Sequence, residues 1–141
     1  MTNKIQKALL GGIVGTAVMT AVMMIAPMMG MPKMSPPSIL SMMMGFPIIV
    51  GWLMHFMIGI IFAMAYAFIF INLVNKVSNN ILKGAIFGMA AFAFAQIMMA
   101  IMGMMFPMPP MEGSMMLMMV GSIMGHVIFG ITVATFVKER A

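Results

Sequence analysis

The chain predicts an all-α polytopic membrane fold, with four transmembrane helices arranged as two pseudo-repeated helical hairpins, and three observations carry that prediction. Of its 141 residues, 64% are hydrophobic and only 6% charged, with a mean hydropathy of +1.16. A globule this small buries only part of the surface its chain exposes, so this much apolar side chain needs lipid as its solvent. Second, the few charges divide the sequence into four apolar runs, over about 8–26, 48–73, 84–105 and 115–137. Each is near or above the ~20 residues that cross ~30 Å of hydrocarbon as a helix. Third, no run alternates polar and apolar residues as a membrane strand does.

The elements follow in order. Lys4 and Lys7 precede the first run, a pattern that also fits a signal peptide. We read the run as a retained first helix that stops at Pro27. The second run follows Phe46-Pro47, the third follows a polar turn at 75–80, and the fourth ends at Lys138. Drawn as four spans, Lys4, Lys7, Lys76, Lys83, Lys138 and Arg140 share one side, against Lys33 and Glu112 on the other. The positive-inside rule makes the former side cytoplasmic, so both termini are expected in the cytoplasm of a multi-pass protein of the inner (cytoplasmic) membrane of the cell. The loops 28–47 and 106–114 then face outward, and their prolines predict irregular rather than helical structure.

The whole chain, 1–141, is expected to form a single membrane domain of two pseudo-repeats, about 1–76 and 77–141. Gly51, His55, Gly59 and Ala63 recur every four residues in the second run, as Ser122, His126, Gly130 and Ala134 do in the fourth. Met31-Pro32-Lys33-Met34 echoes Met108-Pro109-Pro110-Met111, and Gly11-xxx-Gly15 echoes Gly84-xxx-Gly88. Such a pattern describes hairpins related by an axis along the membrane normal.

Composition excludes several kinds of chemistry. Cysteine is absent, which removes disulfides, thiolate catalysis and iron–sulfur ligation. The net charge of +5 comes from scattered lysines beside apolar runs rather than from a basic patch with aromatics, so nucleic acid is not an expected partner. Glu112 and Glu139 fall on opposite sides of the membrane, and neither a phosphate-binding glycine loop nor a nucleophile elbow is present. The chain is therefore not expected to be an enzyme.

What remains is unusual in its ligand types. Methionine makes up 27 of the 141 residues, and much of this can be read as a flexible apolar substitute for leucine. That reading explains less about the methionines clustered in and beside the outer loops, which include Met31, Met34, Met108 and Met111. Thioethers select Cu(I), or the similar silver ion, and imidazole is a second good ligand type. His55 and His126 lie at similar depth, roughly 12–17 Å from the outer ends of their helices, where an ionisable group is costly and a functional candidate by default. Gln96 lies near the same depth, so a polar pocket of His55, His126 and Gln96 is conceivable. The expected metal ligands are thus Met31, Met34, Met108 and Met111 for capture, Met19, Met23, Met98 and Met102 for relay, and His55 and His126 for holding. The stripes of small residues read first as helix-packing faces. Haem b is the alternative cofactor: two histidines of a bundle can supply both axial ligands, and Gly59 and Gly130 could make room for the macrocycle.

The opening Gly11-Gly12-Ile13-Val14-Gly15, the segment Met28-Met29-Gly30-Met31-Pro32-Lys33-Met34, and the Gly-xxx-His-xxx-Gly helix around His55 with its echo at His126 are similar to those of a family of small, uncharacterised bacterial and archaeal four-span membrane proteins. That resemblance implies a four-helix fold and no established activity. The outer methionines also resemble those of eukaryotic copper transporters, which have three spans per chain and a trimeric pore. The present chain departs from them in span number and in its paired histidines.

The leading expectation is a small membrane protein that binds soft metal in its outer half, for transport, delivery or as accessory subunit of a metal-dependent membrane complex. The alternative is a structural subunit or scaffold without a cofactor, its glycine faces packed on a partner. Lipid and either other membrane subunits or further copies of the chain are the expected partners.

Overall fold

The computed structural model describes residues 2–108, 110 and 113–138, and among these it is all helical. Helix α1 runs Thr2–Ile25, α2 runs Pro36–Met44, α3 starts at Ile48–Ala65, α4 runs Asn80–Met105 and α5 runs Met115–Phe136. A π-helical turn at Tyr66–Phe70 and a last α turn at Ile71–Leu73 continue α3. Four of these units, Asn3–Met29, Ile48–Leu73, Asn80–Met105 and Met115–Phe136, are long and apolar enough to cross a membrane. The chain is thus a multi-pass membrane protein, with helix surfaces outside the bundle facing lipid.

The helix ends follow from local chemistry. Pro27 lacks the N–H that would continue α1, so the chain tightens into a 3-10 turn, Ala26–Met29, closed by Gly30 at φ 85°. Asn79 accepts hydrogen bonds from the backbone N–H groups of Ile81 (2.8 Å) and Leu82 (3.4 Å). This cap starts α4 at Asn80, one turn earlier than the apolar run itself.

Loop 28–47 departs from expectation, because part of it is helical. Pro36 and Pro37 sit in the first turn of α2, where an N–H has no intrahelical partner and a fixed φ is an advantage. Gly45, at φ 67°, ends the helix by donating its N–H toward the carbonyls of Met42 and Ser41. The helix lies against α3 where Gly51 leaves space for the Pro37 carbonyl.

The bundle is organised around α1, which is 44% buried over its most apolar stretch, against 17% for α4. Two small-residue faces make this possible. Gly12 meets Ile60 and Gly59 of α3, while Gly11 and Gly15 meet Phe136, Val133 and Phe129 of α5. α5 then packs on α4, where Gly84 and Gly88 face the backbone of Gly130, Ile131, His126 and Val127. In lipid such contacts are driven by close backbone approach, and a methyl group at Gly12, Gly84 or Gly88 would collide with the backbone of the neighbouring helix, whereas at Gly11 and Gly15 it would press on side chains of α5.

The two hairpins close alike, through Gly12 on Gly59 and Ile60 and through Gly84 on Gly130 and Ile131. By packing, therefore, Gly12 and Thr16, rather than Gly11 and Gly15, stand where Gly84 and Gly88 stand. The remaining side of the bundle, α3 against α4, is built from aromatics instead. Phe62 meets Phe94 edge-on at 5.5 Å, and Phe87 lies 4.9 Å from Tyr66 and 5.1 Å from Phe70. An apolar groove of about 200 Å³ runs between these rings. The π turn serves this side: it shifts the register of α3 so that Tyr66, Ala67 and Ile71 all join the buried stripe of Gly59 and Ala63.

Candidate metal centre

α5 presents a second glycine pair, Gly121 and Gly125, one turn apart on the face toward α1 and the segment after it. No side chain fills that face from α5 itself, so thioethers fill it from elsewhere. A Cβ on Gly121 would stand 3.5 Å from the sulfur of Met34 and 3.8 Å from that of Met31. One on Gly125 would stand 3.3 Å from the sulfur of Met23 and 3.4 Å from the methyl of Met19. Met23, Met31, Met34 and Met124, with Ala26, Pro32 and Gly121, enclose a space of about 10 Å³. That is roughly one water-sized sphere, room for a single atom or ion and not for an organic molecule.

Three elements converge to make this pocket. Met19 and Met23 are buried on α1, one turn apart. Met31 and Met34 lie on the extended strap between the 3-10 turn and α2, which Pro27 and Gly30 direct back over the bundle. Met124, from α5, was not among the sequence-derived candidates. Its signal was its position three residues after Gly121 and beside Gly125, which becomes meaningful only once the glycine face is known to point inward.

His55 lies one step deeper. Its Nε2 is 3.0 Å from Thr20 Oγ1, and the Thr20 hydroxyl donates to the Thr16 carbonyl at 2.7 Å. With the hydroxyl proton so committed, Nε2–H of His55 donates to Thr20 and Nδ1 keeps the lone pair. Inward along α1 from the strap with Met31 and Met34 come Met23, then Thr20 with the His55 of α3 bonded to it, then Met19, in the half of the bundle nearer α2.

His126 is engaged differently. Its Nδ1 donates to the Ser122 carbonyl of its own helix at 2.8 Å, leaving the lone pair on Nε2, and its ring meets Phe92 of α4 edge-on at 5.8 Å. Neither a hydrogen bond nor a ring contact joins the two imidazoles. His55 is held on α1, whereas His126 is held toward α4.

Several expected ligands lie elsewhere. Met98 is exposed toward lipid and Met102 half-buried on α4, the helix remote from the thioether pocket. Met108 folds back onto Gly103 of α4 and is also exposed. Met111 lies outside the described residues. Gln96 does not join the histidines: it faces outward from α4, because the face of α4 turned to α5 is taken by Gly84, Gly88 and Phe87. The space expected beside the histidines for a macrocycle is occupied as well. Thr16 stands against Gly59, and the backbone of Gly84 and Gly88 against Gly130. The glycine faces that a scaffold would turn to a partner are likewise spent inside the chain.

Residues 2–140 match the model of a protein family of unknown function, DUF6789. The chain belongs to that family. The match covers the thioether pocket and both histidines, so the pocket lies within the family's own domain. Among curated proteins and solved structures none matches the chain significantly.

Proposed function

We propose that this DUF6789 member binds a soft monovalent metal ion, Cu(I) or Ag(I), in the pocket of Met23, Met31, Met34 and Met124, as a step in moving or delivering the ion at a membrane. The observation that carries the reading is the convergence of thioethers from α1, the strap and α5 on a single-atom space lined otherwise by glycine, alanine and proline. Hard cations need oxygen ligands and are disfavoured there, whereas a soft d¹⁰ ion matches neutral sulfur donors. The ion enters under the strap and is held by exchangeable thioethers. Met19 on α1 and the free Nδ1 of His55, on α3 beside Thr20, offer the next ligands. With the termini and the 75–80 turn read as cytoplasmic from their lysines, the pocket in this proposal opens on the outer side. No catalytic role is proposed.

Purified protein loaded with Ag(I) under non-oxidising conditions should retain about one ion per chain by elemental analysis. Exchange of Met23, Met31, Met34 and Met124 for leucine keeps side-chain volume while removing the donors. Loss of the bound ion from a variant that still elutes as the native protein is expected. Full retention would refute the pocket, and loss only with His55→Ala would move the site to the imidazole.

A further inference from the structure

In a bundle that spends most of its glycine faces internally, one side-chain amide in a membrane span, that of Gln96, has no partner among the described residues. Gln96 is exposed on α4, about nine residues before the end of the helix at Met105, and so lies roughly 13 Å in from that end. Among the described residues its amide has no hydrogen-bond partner, whereas Thr16, Thr20, Thr132 and Thr135 each donate to a carbonyl of their own helix. An amide facing hydrocarbon without a partner is costly, because no water replaces the missing bonds.

The residues around it fit a helix partner. Met89, Ala93, Gln96, Ala100 and Gly103 are all exposed and recur at intervals of four, three, four and three. This is the spacing of a seam between two helices crossing at a shallow angle. Ala93 and Ala100 flank the amide one turn to either side, so a second helix can come near enough for side-chain hydrogen bonds. Among the described residues, Met108 alone approaches Gly103.

We propose that α4 is the interface of a homodimer, with Gln96 of each copy bonded to Gln96 of the other. A second copy is the occupant because an amide carries both donor and acceptor and is complementary to itself. Two copies inserted in one orientation bring their α4 helices together in parallel about an axis along the membrane normal, and Gln96 then meets Gln96 at the same depth. The low burial of α4 within its own bundle, 17% against 44% for α1, agrees with a helix whose second face is covered by another chain. The metal pocket lies on the side of α5 turned to α1, so the dimer does not depend on the metal reading.

The absence of native cysteine makes the test direct. Ala93→Cys and Ala100→Cys, in membranes treated with a short bis-maleimide, should give a covalent dimer. Leu53→Cys, equally lipid-facing on α3, should not. Adding Gln96→Leu to Ala100→Cys should lower the dissociation-limited yield by about three- to thirtyfold, the span measured for single polar contacts between membrane helices, and Gln96→Asn should restore part of it. Equal yield from all three cysteine positions, or none from Ala93→Cys and Ala100→Cys, overturns the interface. An unchanged yield with Gln96→Leu overturns the amide pair.

Discussion

The α1/α3 and α4/α5 hairpins are closed by the same device and put to different use. In each, a glycine of the first helix sits on a glycine and an isoleucine of the second: Gly12 on Gly59 and Ile60, Gly84 on Gly130 and Ile131. One helix turn further on they diverge, with Thr16 in the first and Gly88 in the second. The first hairpin uses its hydroxyls, through Thr16 and Thr20, to hold His55, and its long connection folds over the bundle as the strap and α2. The second brings its backbones together on two glycines and leaves the far face of α4 to lipid or to another chain. A shared packing contact thus fixes the hairpin, while the substitutions beside it decide which hairpin holds the Thr20-bonded histidine.

Breaking the shared contact should produce the largest effect. Gly130→Val places a branched side chain against the carbonyl of Gly84 and the backbone of Gly88, and should destabilise the bundle by about 3 kcal/mol or more, measured as loss of helicity in a detergent titration. The equivalent change in the first hairpin sharpens the comparison. Gly59→Ala collides with the Thr16 hydroxyl, a side chain that can be removed, so it should cost about 1–3 kcal/mol and be largely rescued by Thr16→Gly, which recreates the glycine pair of the second hairpin. Rescue that fails would show that the two contacts are not equivalent.

Next in size are the ligands. Met23→Leu with Met34→Leu should weaken Ag(I) binding by roughly 10–100-fold, the range typical for loss of groups that support a metal, while leaving the helical fold in place. Met98→Leu with Met102→Leu, on the second hairpin, should leave Ag(I) binding unchanged in the same competition titration. A reversal of that order would relocate the site to α4. A smaller effect is expected from Thr20→Val, which removes the partner of His55 Nε2 and should cost about 0.5–1.5 kcal/mol of stability in the same detergent titration.

Much of this was legible without coordinates. Four spans and their approximate limits follow from hydropathy and length, and the lack of polar–apolar alternation agrees with the described residues forming no strand. Met19, Met23, Met31 and Met34 could be nominated because they cluster toward one end of the bundle, and the structure brings them together. Met98, Met102 and Met108 have the same composition and a similar depth, and it does not bring them there. Depth along a helix is a count of residues, but direction around it depends on which neighbour packs where. Counting residues gave Gln96 a depth near that of the histidines, but not the side of α4 it occupies, which the structure turns outward. Gly11, Gly12, Gly15 and Thr16 held more than was taken from them, since two stripes of spacing four lying side by side mark a helix packed on two faces.

By itself, then, the sequence determined the solvent, the secondary structure and the supply of side-chain types: apolar runs of this length must be helices in lipid, and a chain without cysteine that is rich in methionine has thioether and imidazole as its soft donors. Tertiary structure decided which of those ligands meet. Gly121 and Gly125 opened a face of α5 toward α1, Pro27 and Gly30 turned the strap back over it, and packing on Gly84 and Gly88 sent α4 to the edge. Each of these is a contact between segments distant along the chain, set by how closely two backbones can approach, and local periodicity carries no record of that distance.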